Sequence, residues 1–389
     1  MIFLDIQRFQ RFCREDFHLK ERARRLSDSR ARPEIGVGVI FLALLYLGVL
    51  GLGSLLGLDQ FLRTRGGRKL FGSSKPVVSD STLSRSLSGF GLSGLHALLE
   101  AVYAVGRGLG IGRCPVGEGR WRIGVIDGSQ FGRFMASCFA EIGSVCLMGG
   151  LEQIPKRGKE LPASERLLRK LLARFGPRWV DLLLLDGLYV AQGFLRVCLE
   201  ECHIDFLIKT QEAGLNIIRD AMGIFRNYRT YAQDIERIEG TDAERMVSYQ
   251  DYALGGFFLE GGDAPIKVAW VQEEDLRTGE RREFWVLTSL EELTAAQMRE
   301  LAHWRWDIEN NGFKSLNTLV HTKHLYAHDL HAAEAMTLLL FIAGNLLHLF
   351  LAHLTREEIE TLFGKLKVTR RFLQEQLRVS VEALPAPDP

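Results

Sequence analysis

Three acidic residues occupy positions at which their carboxylates could act together. Asp127 and Asp186 each end an apolar run that predicts a buried strand, and each is followed by glycine. Glu309 lies four residues after Arg305 in a predicted helix, so the two side chains project from one helical face. Taken singly, an Asp-Gly pair is often only a turn, and Glu309 could form a surface ion pair with Arg305. Taken together, converging carboxylates would repel one another without a cation, so the three acids predict a metal site.

The elements that must position the two aspartates alternate between strand and helix. Residues 121–126 and 179–185 are predicted strands, and a helix at 190–202 and another strand follow the second of them. Ligands in such α/β arrangements bind outside the carboxyl ends of the strands. Asp127 and Asp186 stand at those ends.

Glu309, the third acid, follows a region in which strands are predicted without intervening helices. Apolar alternation and Gly-Gly turns predict a β-rich insertion over residues 213–288. Thr294 then marks a helix start, because Gln297 three residues later completes a capping box. That helix carries Glu309, and an apolar helix at 332–354 comes next.

The N-terminal part of the chain predicts an all-helical domain. Pairs of helices with a polar face commonly bind DNA. A helical domain that only covers the catalytic domain fits the same pattern. Residues 35–58 carry no charge and are long enough to span a bilayer. Glycines crowd the second half of this stretch, which favours a buried helix or helical hairpin over a membrane span.

Length, net charge and cysteine content limit the possible domain number, partners and cellular setting. A chain of 389 residues suggests two or three domains. The net charge of +1 implies no strong global attraction to nucleic acid, so a DNA-binding surface would have to be a local basic patch. The six cysteines are scattered without a CxxC pair, which predicts reduced thiols in a cytosolic setting.

Several segments, in their order and spacing, resemble a known family. They read VVSDSTLSRSL, IGVIDGSQF around Asp127, GKELPASERLL, LLLLDGLYVAQGFL around Asp186, FWVLTSL, and RWDIENNGFKSL around Glu309. This series resembles the DDE transposases of bacterial insertion sequences, and most closely the branch named for insertion sequence four, which has a long β insertion before its glutamate.

The resemblance implies an α/β fold: an RNase H-like core with a mixed sheet, a β-rich insertion before the third acidic residue, and an all-helical N-terminal domain. It implies that Asp127, Asp186 and Glu309 are catalytic and bind two Mg²⁺ ions, for which Mn²⁺ may substitute. The expected partners are transposon-end and target DNA and a second copy of the chain in a synaptic homodimer, with no membrane. The expected setting is the bacterial cytoplasm, in association with the nucleoid.

The resemblance also divides the chain. We expect a helical N-terminal domain over residues 1–114 that is a candidate for DNA-end binding. The catalytic core would comprise residues 115–212 and 289–354, with the β-rich insertion at 213–288 between them. Residues 355–389 would form a basic C-terminal tail.

The sequence departs from the family around the glutamate, where the pattern is Y-x2-R-x3-E-x6-K. Arg305 and Glu309 fit it, but Ala302 stands at the Tyr position and Leu316 at the Lys position. Arg305 and the nearby Lys314 are the predicted DNA-binding residues. These departures keep open an inactive or domesticated DNA-binding relative, and the apolar stretch keeps open a membrane-associated protein without enzymatic activity.

One further set of residues invites a metal interpretation. His321, His324, His328 and His331 are spaced by three and four residues, as on one helical face. Asp329 and Leu330 predict the start of the next helix, which would break the run. A solvated or DNA-facing set of histidines is therefore favoured over a zinc site.

Overall fold

The computed structural model describes residues 5–71, 78–110, 112–143, 145–227, 230–231, 233–308, 314–354, 369–382 and 384. Its helices are α1 (Ile6–Glu15), α2 (Leu19–Ala23), α3 (Val37–Val49), α4 (Leu55–Arg63), α5 (Arg65–Phe71), α6 (Asp80–Leu87), α7 (Leu92–Gly108), α8 (Glu160–Phe175), α9 (Gln192–Arg196), α10 (Asn216–Arg226), α11 (Ala295–Ile308), α12 (Lys314–Val320), α13 (Leu330–His353) and α14 (Arg370–Glu382). Its strands are β1 (Cys114–Val116), β2 (Gly119–Trp121), β3 (Ile123–Phe131), β4 (Phe134–Ile142), β5 (Cys146–Gln153), β6 (Leu182–Asp186), β7 (Asp205–Thr210), β8 (Glu236–Asp242), β9 (Val247–Phe257), β10 (Ile266–Asp275) and β11 (Arg281–Thr288).

Nine strands form one mixed sheet in the order β5-β4-β3-β6-β7-β11-β10-β9-β8. Strands β3, β6 and β7 run parallel to one another, and the remaining neighbours are antiparallel. The half from β5 to β7 is the mixed sheet of an RNase H-like core, and β8 to β11 extend it as the β-rich insertion. The predicted fold class is confirmed. The division into domains stays a prediction, since β11 pairs directly with β7.

The two faces of the core sheet are covered by different helices because side chains alternate along each strand. On one face, Val125 of β3 and Leu184 of β6 share a core with Met298 and Ala302 of α11. On the other face, the intervening residues pack against α7, α8 and α13. The sheet is therefore buried on both sides along β3 and β6, which explains their continuous apolar runs.

The N-terminal helices surround the long apolar helix α13. Residues 35–58 form α3 and α4 with a turn between them, in which Gly51 and Gly53 have positive φ. Helix α3 is buried over most of its length and packs on α13. Within the described residues, α13 alone has the length and hydropathy of a membrane span, and 89% of its most apolar window is buried inside the protein.

Two elements differ from the sequence predictions. Residues 216–226 form helix α10 inside the predicted β-rich insertion of residues 213–288. Helix α14 lies in the predicted basic tail, and its Leu373 and Leu377 are fully buried. Part of this tail is therefore packed into the helical core.

Candidate active site

Asp127 and Asp186 lie side by side on neighbouring strands. Asp186 ends β6 as predicted, but the predicted strand end at Asp127 is wrong, because β3 continues to Phe131 through its pairing with β4. The parallel pairing of β3 with β6 matches Val125 to Leu184. Continuing that register by two residues brings Asp127 level with Asp186, on strands about 4.8 Å apart. Both side chains point to the face that α11 covers, because they alternate in step with Val125 and Leu184. Both residues are half-buried, so their carboxylates are partly shielded from solvent and can act together.

The turn after Asp186 fixes the orientation of its carboxylate. The backbone N–H of Leu188 donates a hydrogen bond of 2.9 Å to Asp186 Oδ1, so Asp186 caps the 3₁₀ turn Gly187–Tyr189. A Cβ on Gly187 would come within 2.5 Å of Thr210 Oγ1 on β7. The Asp-Gly pair is thus more than a loose turn, because only glycine lets β7 approach this closely.

Helix α11 leads the chain toward the third acid. The predicted capping box is confirmed: Thr294 N donates to Gln297 Oε1 at 2.9 Å, and Gln297 N donates to Thr294 Oγ1 at 3.2 Å. Leu301 and Ala302 are fully buried against the sheet. Glu309 lies outside the described residues, directly after the end of α11 at Ile308.

Arg305 and Asp186 line the same surface groove. The two residues line a groove of about 890 Å³, which we call the Asp186 groove. Its lining comprises Asp186, Gly187, Leu188, Lys209, Thr210, Gln211, Glu212, Arg245, Val247, Glu273, Asp275, Arg282, Phe284, His303 and Arg305. Asp127 is not among these residues. The structure therefore brings Asp186 and Arg305 to one groove and places Asp127 on the strand beside it.

The groove carries charges of both signs: its basic residues are Lys209, Arg245, Arg282 and Arg305, and its acidic residues are Asp186, Glu212, Glu273 and Asp275. Lys209 of β7 lies over the ring of Phe284, with Nζ 3.9 Å from the ring centroid. His303 shares a hydrogen bond of 2.6 Å with Glu273 Oε1. Burial alone would raise the pKa of the Glu273 carboxyl, but the hydrogen bond with His303 and the nearby cations lower it. Glu273 therefore stays ionised beside His303.

Lys314 is not part of α11. It is exposed and is the first residue of α12, a separate helix. Ala302 and Leu316 stand where the resembling family has Tyr and Lys, and both are buried, at 0% and 1% exposure. Trp304 of α11 is half-buried and packs at the edge of the core that α11 shares with the sheet, and the Trp306 side chain lies outside the described residues. Among the described residues, Arg305 lies on α11 and lines the Asp186 groove, whereas Lys314 lies on α12 and is not among the lining residues of the groove.

The donor atoms of Asp127 and Asp186 suit a hard divalent cation such as Mg²⁺, which prefers carboxylate oxygens. Among the described residues, no group of three or more His, Cys, Asp or Glu side chains is close enough to hold a metal. The site would need a further ligand, and Glu309, outside the described residues, stays the predicted one. The four histidines also form no metal group within this part of the chain, and His331 instead contacts the carbonyl of Phe90 at 2.7 Å.

Two residues near the aspartates were missed as site residues. Glu160 begins α8, and Tyr189 ends the 3₁₀ turn after Asp186. The hydroxyl of Tyr189 donates a hydrogen bond of 3.0 Å to Glu160 Oε1. Both residues lie in segments of the family resemblance, GKEL and DGLY, and that shared membership was the available signal.

Part of the chain matches a known protein family. Residues 153–346 match the family model of the transposase DDE domain. The matched span includes Asp186, Arg305, Glu309 and Lys314, and it begins after Asp127. No curated protein matches the chain. The match supports a transposase function in general.

Proposed function

We propose that this protein is a DNA transposase that cleaves DNA at transposon ends and transfers the strands to target DNA. The observation that supports this most directly is the placement of Asp127 and Asp186 level on neighbouring parallel strands, under the helix that leads to Glu309. The cation-bearing groove beside Asp186 and the transposase DDE match over residues 153–346 support the same conclusion.

In this proposal Asp127, Asp186 and Glu309 hold two Mg²⁺ ions, for which Mn²⁺ can substitute. Bound there, the ions would activate the attacking oxygen and stabilise the departing one in phosphodiester cleavage and strand transfer. The chain's own contribution is orientation. Leu188 N–H holds the Asp186 carboxylate, and the α11 capping box fixes the start of the helix that precedes Glu309.

The substrate would lie along the Asp186 groove. Arg305 and Lys209 offer charge to DNA phosphates, and Arg245 and Arg282 extend that charge onto the insertion. Lys314 would contact phosphates from its exposed position on α12. A net charge of +1 over the whole chain makes such a local surface necessary.

We further propose the wider setting of this activity. The helical region 1–114 would recognise transposon ends, residues 115–212 and 289–354 would form the catalytic core, 213–288 the insertion, and 355–389 a basic tail. Two ends must be held together during transfer, so a homodimer on DNA is expected. The protein would belong to the insertion sequence four branch and act in the bacterial cytoplasm, associated with the nucleoid.

A second candidate is a relative that binds DNA without transposing it. Ala302 and Leu316 favour it, because both positions are buried where the family pattern has a Tyr and a Lys. Strand-transfer assays with intact end DNA separate the two candidates. A transposase forms joined products, and a binding protein only shifts the DNA.

The proposal is tested on supercoiled DNA that carries the element's own ends. Asp127→Asn, Asp186→Asn and Glu309→Gln should each reduce Mg²⁺-dependent nicking by about a hundredfold or more, because each would remove a ligand from ions that stabilise the reaction by several kcal/mol. Asp220→Asn is the matched control, since Asp220 is an exposed carboxylate on α10. Unchanged nicking in all three variants would refute the proposal.

A further inference from the structure

A tyrosine–glutamate pair, in which Tyr189 is fully buried and Glu160 is half-buried, lies behind the two aspartates. The hydroxyl of Tyr189 donates a hydrogen bond of 3.0 Å to Glu160 Oε1, and it lies 3.2 Å from Ser164 Oγ. Ser164 Oγ is 2.7 Å from Ser137 Oγ on β4. Tyr189, Ser164 and Ser137 are all fully buried. This chain of hydrogen bonds joins α8 to the sheet at the level of the aspartates.

The pair reaches both aspartate-bearing segments. Gly128 follows Asp127, so a side chain at this position would project from the opposite face of the sheet. A Cβ on Gly128 would come within 2.4 Å of the Glu160 carboxyl carbon, so Glu160 rests directly on the strand beside Asp127. On the other side, Tyr189 is the last residue of the turn that Asp186 caps. One carboxylate therefore contacts the segment that follows Asp127 and the segment that follows Asp186.

The chemistry of the pair suits a fixed hydrogen bond. Burial, with the charge of Glu160 beside it, raises the pKa of the Tyr189 hydroxyl well above its ordinary value. The hydroxyl therefore keeps its proton and remains a donor. The ring is held by Phe194, with centroids 4.8 Å apart. The hydroxyl end of this hydrogen bond is fully buried and Glu160 is half-buried, and a hydrogen bond shielded in this way is stronger than one in water.

We propose that Glu160 and Tyr189 are positioning residues, which hold Asp127 and Asp186 at the separation that divalent cations require. This inference rests on the proposed function. Neither residue would touch the metal or the DNA, because both lie on the face of the sheet opposite α11. Groups that orient metal-binding side chains from outside commonly change metal affinity tenfold or more when they are removed.

The alternative is that the pair only stabilises the core, and a matched control separates the two cases. Tyr103 of α7 is also fully buried, and its hydroxyl donates a hydrogen bond to Glu141 Oε2. Glu141 pairs with Gly124, three residues before Asp127 along β3. Tyr103→Phe therefore removes the same kind of hydrogen bond away from the aspartates.

The experiment measures Mn²⁺ binding to the full chain without DNA, by the loss of the free-ion electron paramagnetic resonance signal. Thermal unfolding without metal is measured in parallel. Tyr189→Phe and Glu160→Ala should weaken Mn²⁺ binding about tenfold, and Glu160→Gln, which keeps an acceptor for the hydroxyl, should retain affinity within about threefold of the wild type. Tyr103→Phe should lower the unfolding temperature and leave Mn²⁺ affinity unchanged.

Two results overturn the inference, and they differ. If Asp127→Asn weakens Mn²⁺ binding but Tyr189→Phe leaves it unchanged and lowers only the unfolding temperature, the pair is structural and the proposed function stands. If Asp127→Asn and Asp186→Asn also leave Mn²⁺ binding unchanged, the metal site and the proposed function fail together with the inference.

Discussion

Arg299 of α11 and Asp251 of β9 form a buried ion pair, with Arg299 Nε 3.2 Å from Asp251 Oδ2. The Arg299 guanidinium also lies over the ring of Tyr249, 3.7 Å from its centroid. Asp251 has no solvent exposure and Arg299 is 8% exposed. The pair joins α11 to the insertion two turns before Arg305, so the helix that leads to Glu309 is held by the insertion as well as by the core.

Asp251 should make the stability of the protein depend on pH. Its pKa is raised to about 7, chiefly by burial and by the charges of Glu273 and Glu236, while Arg299 opposes the rise. In the unfolded chain its pKa is about 3.9. The folded state therefore binds a proton between about pH 4 and 7 that the unfolded state has lost, and this stabilisation disappears as the pH rises through 7.

Asp251→Asn should remove that dependence, because the amide is neutral at every pH. The free energy of unfolding of the wild type should fall with pH, relative to the variant, by up to about 1.4 kcal/mol per pH unit between pH 4 and 7. Urea unfolding at four pH values across this range measures the difference. Asp220→Asn, at an exposed position, should give a curve parallel to the wild type. A parallel curve for Asp251→Asn would contradict the prediction.

Arg305→Ala should weaken binding to transposon-end DNA and reduce its salt dependence. Removing one phosphate contact lowers the slope of log K against log salt by about 0.9. Binding measured from about 50 to 200 mM salt gives this slope directly. Arg196→Ala is the matched control, because Arg196 is paired with Glu200 on a different surface at 3.1 Å. If both variants kept the wild-type slope, Arg305 would have no phosphate contact.

Leu316→Lys should destabilise the protein rather than restore the family pattern. Leu316 is buried against Gly344 of α13, where a Cβ would come within 2.4 Å of Leu316 Cδ2. A lysine there would bury an unpaired charge, at a cost on the order of 3 kcal/mol. Urea unfolding measures this loss against Thr318→Lys, which places the same residue at an exposed position of α12. Equal stability of the two variants would show that position 316 can reach solvent.

The sequence predicted the parts of the site that depend on local pattern. A buried strand followed by Asp-Gly marked the end of β6 at Asp186, and two such strands in an α/β order placed Asp127 beside Asp186. The same signal gave the wrong strand end at Asp127, because β3 continues to Phe131. The capping box at Thr294 likewise fixed the start of α11. Each of these signals is contained within a few consecutive residues, so no knowledge of distant contacts was needed.

Features that depend on distant contacts could not be predicted in this way. Glu160 meets Tyr189 only because α8 packs on β4 and β5 with its first residue next to Gly128 of β3. Strand β8 alternates between exposed and half-buried residues at the edge of the sheet and offers little apolar signal. Helix α10 is a different case, because Ile217, Ala221 and Phe225 share one face at helical spacing and could have been recognised.

The meeting of the first and last helices has a consequence for how the chain folds. Ile6 N of α1 donates a hydrogen bond of 2.9 Å to Ser380 Oγ of α14, and Phe9 stacks edge-on against Phe350 of α13. Helices α3 and α7 likewise bury their apolar faces on α13. During synthesis, these N-terminal helices cannot bury their apolar faces until α13 and α14 have been made. Contacts between residues this far apart in sequence also form slowly. A ribosome that stops before α13 would release exposed apolar helices, so truncated copies should aggregate instead of retaining partial activity.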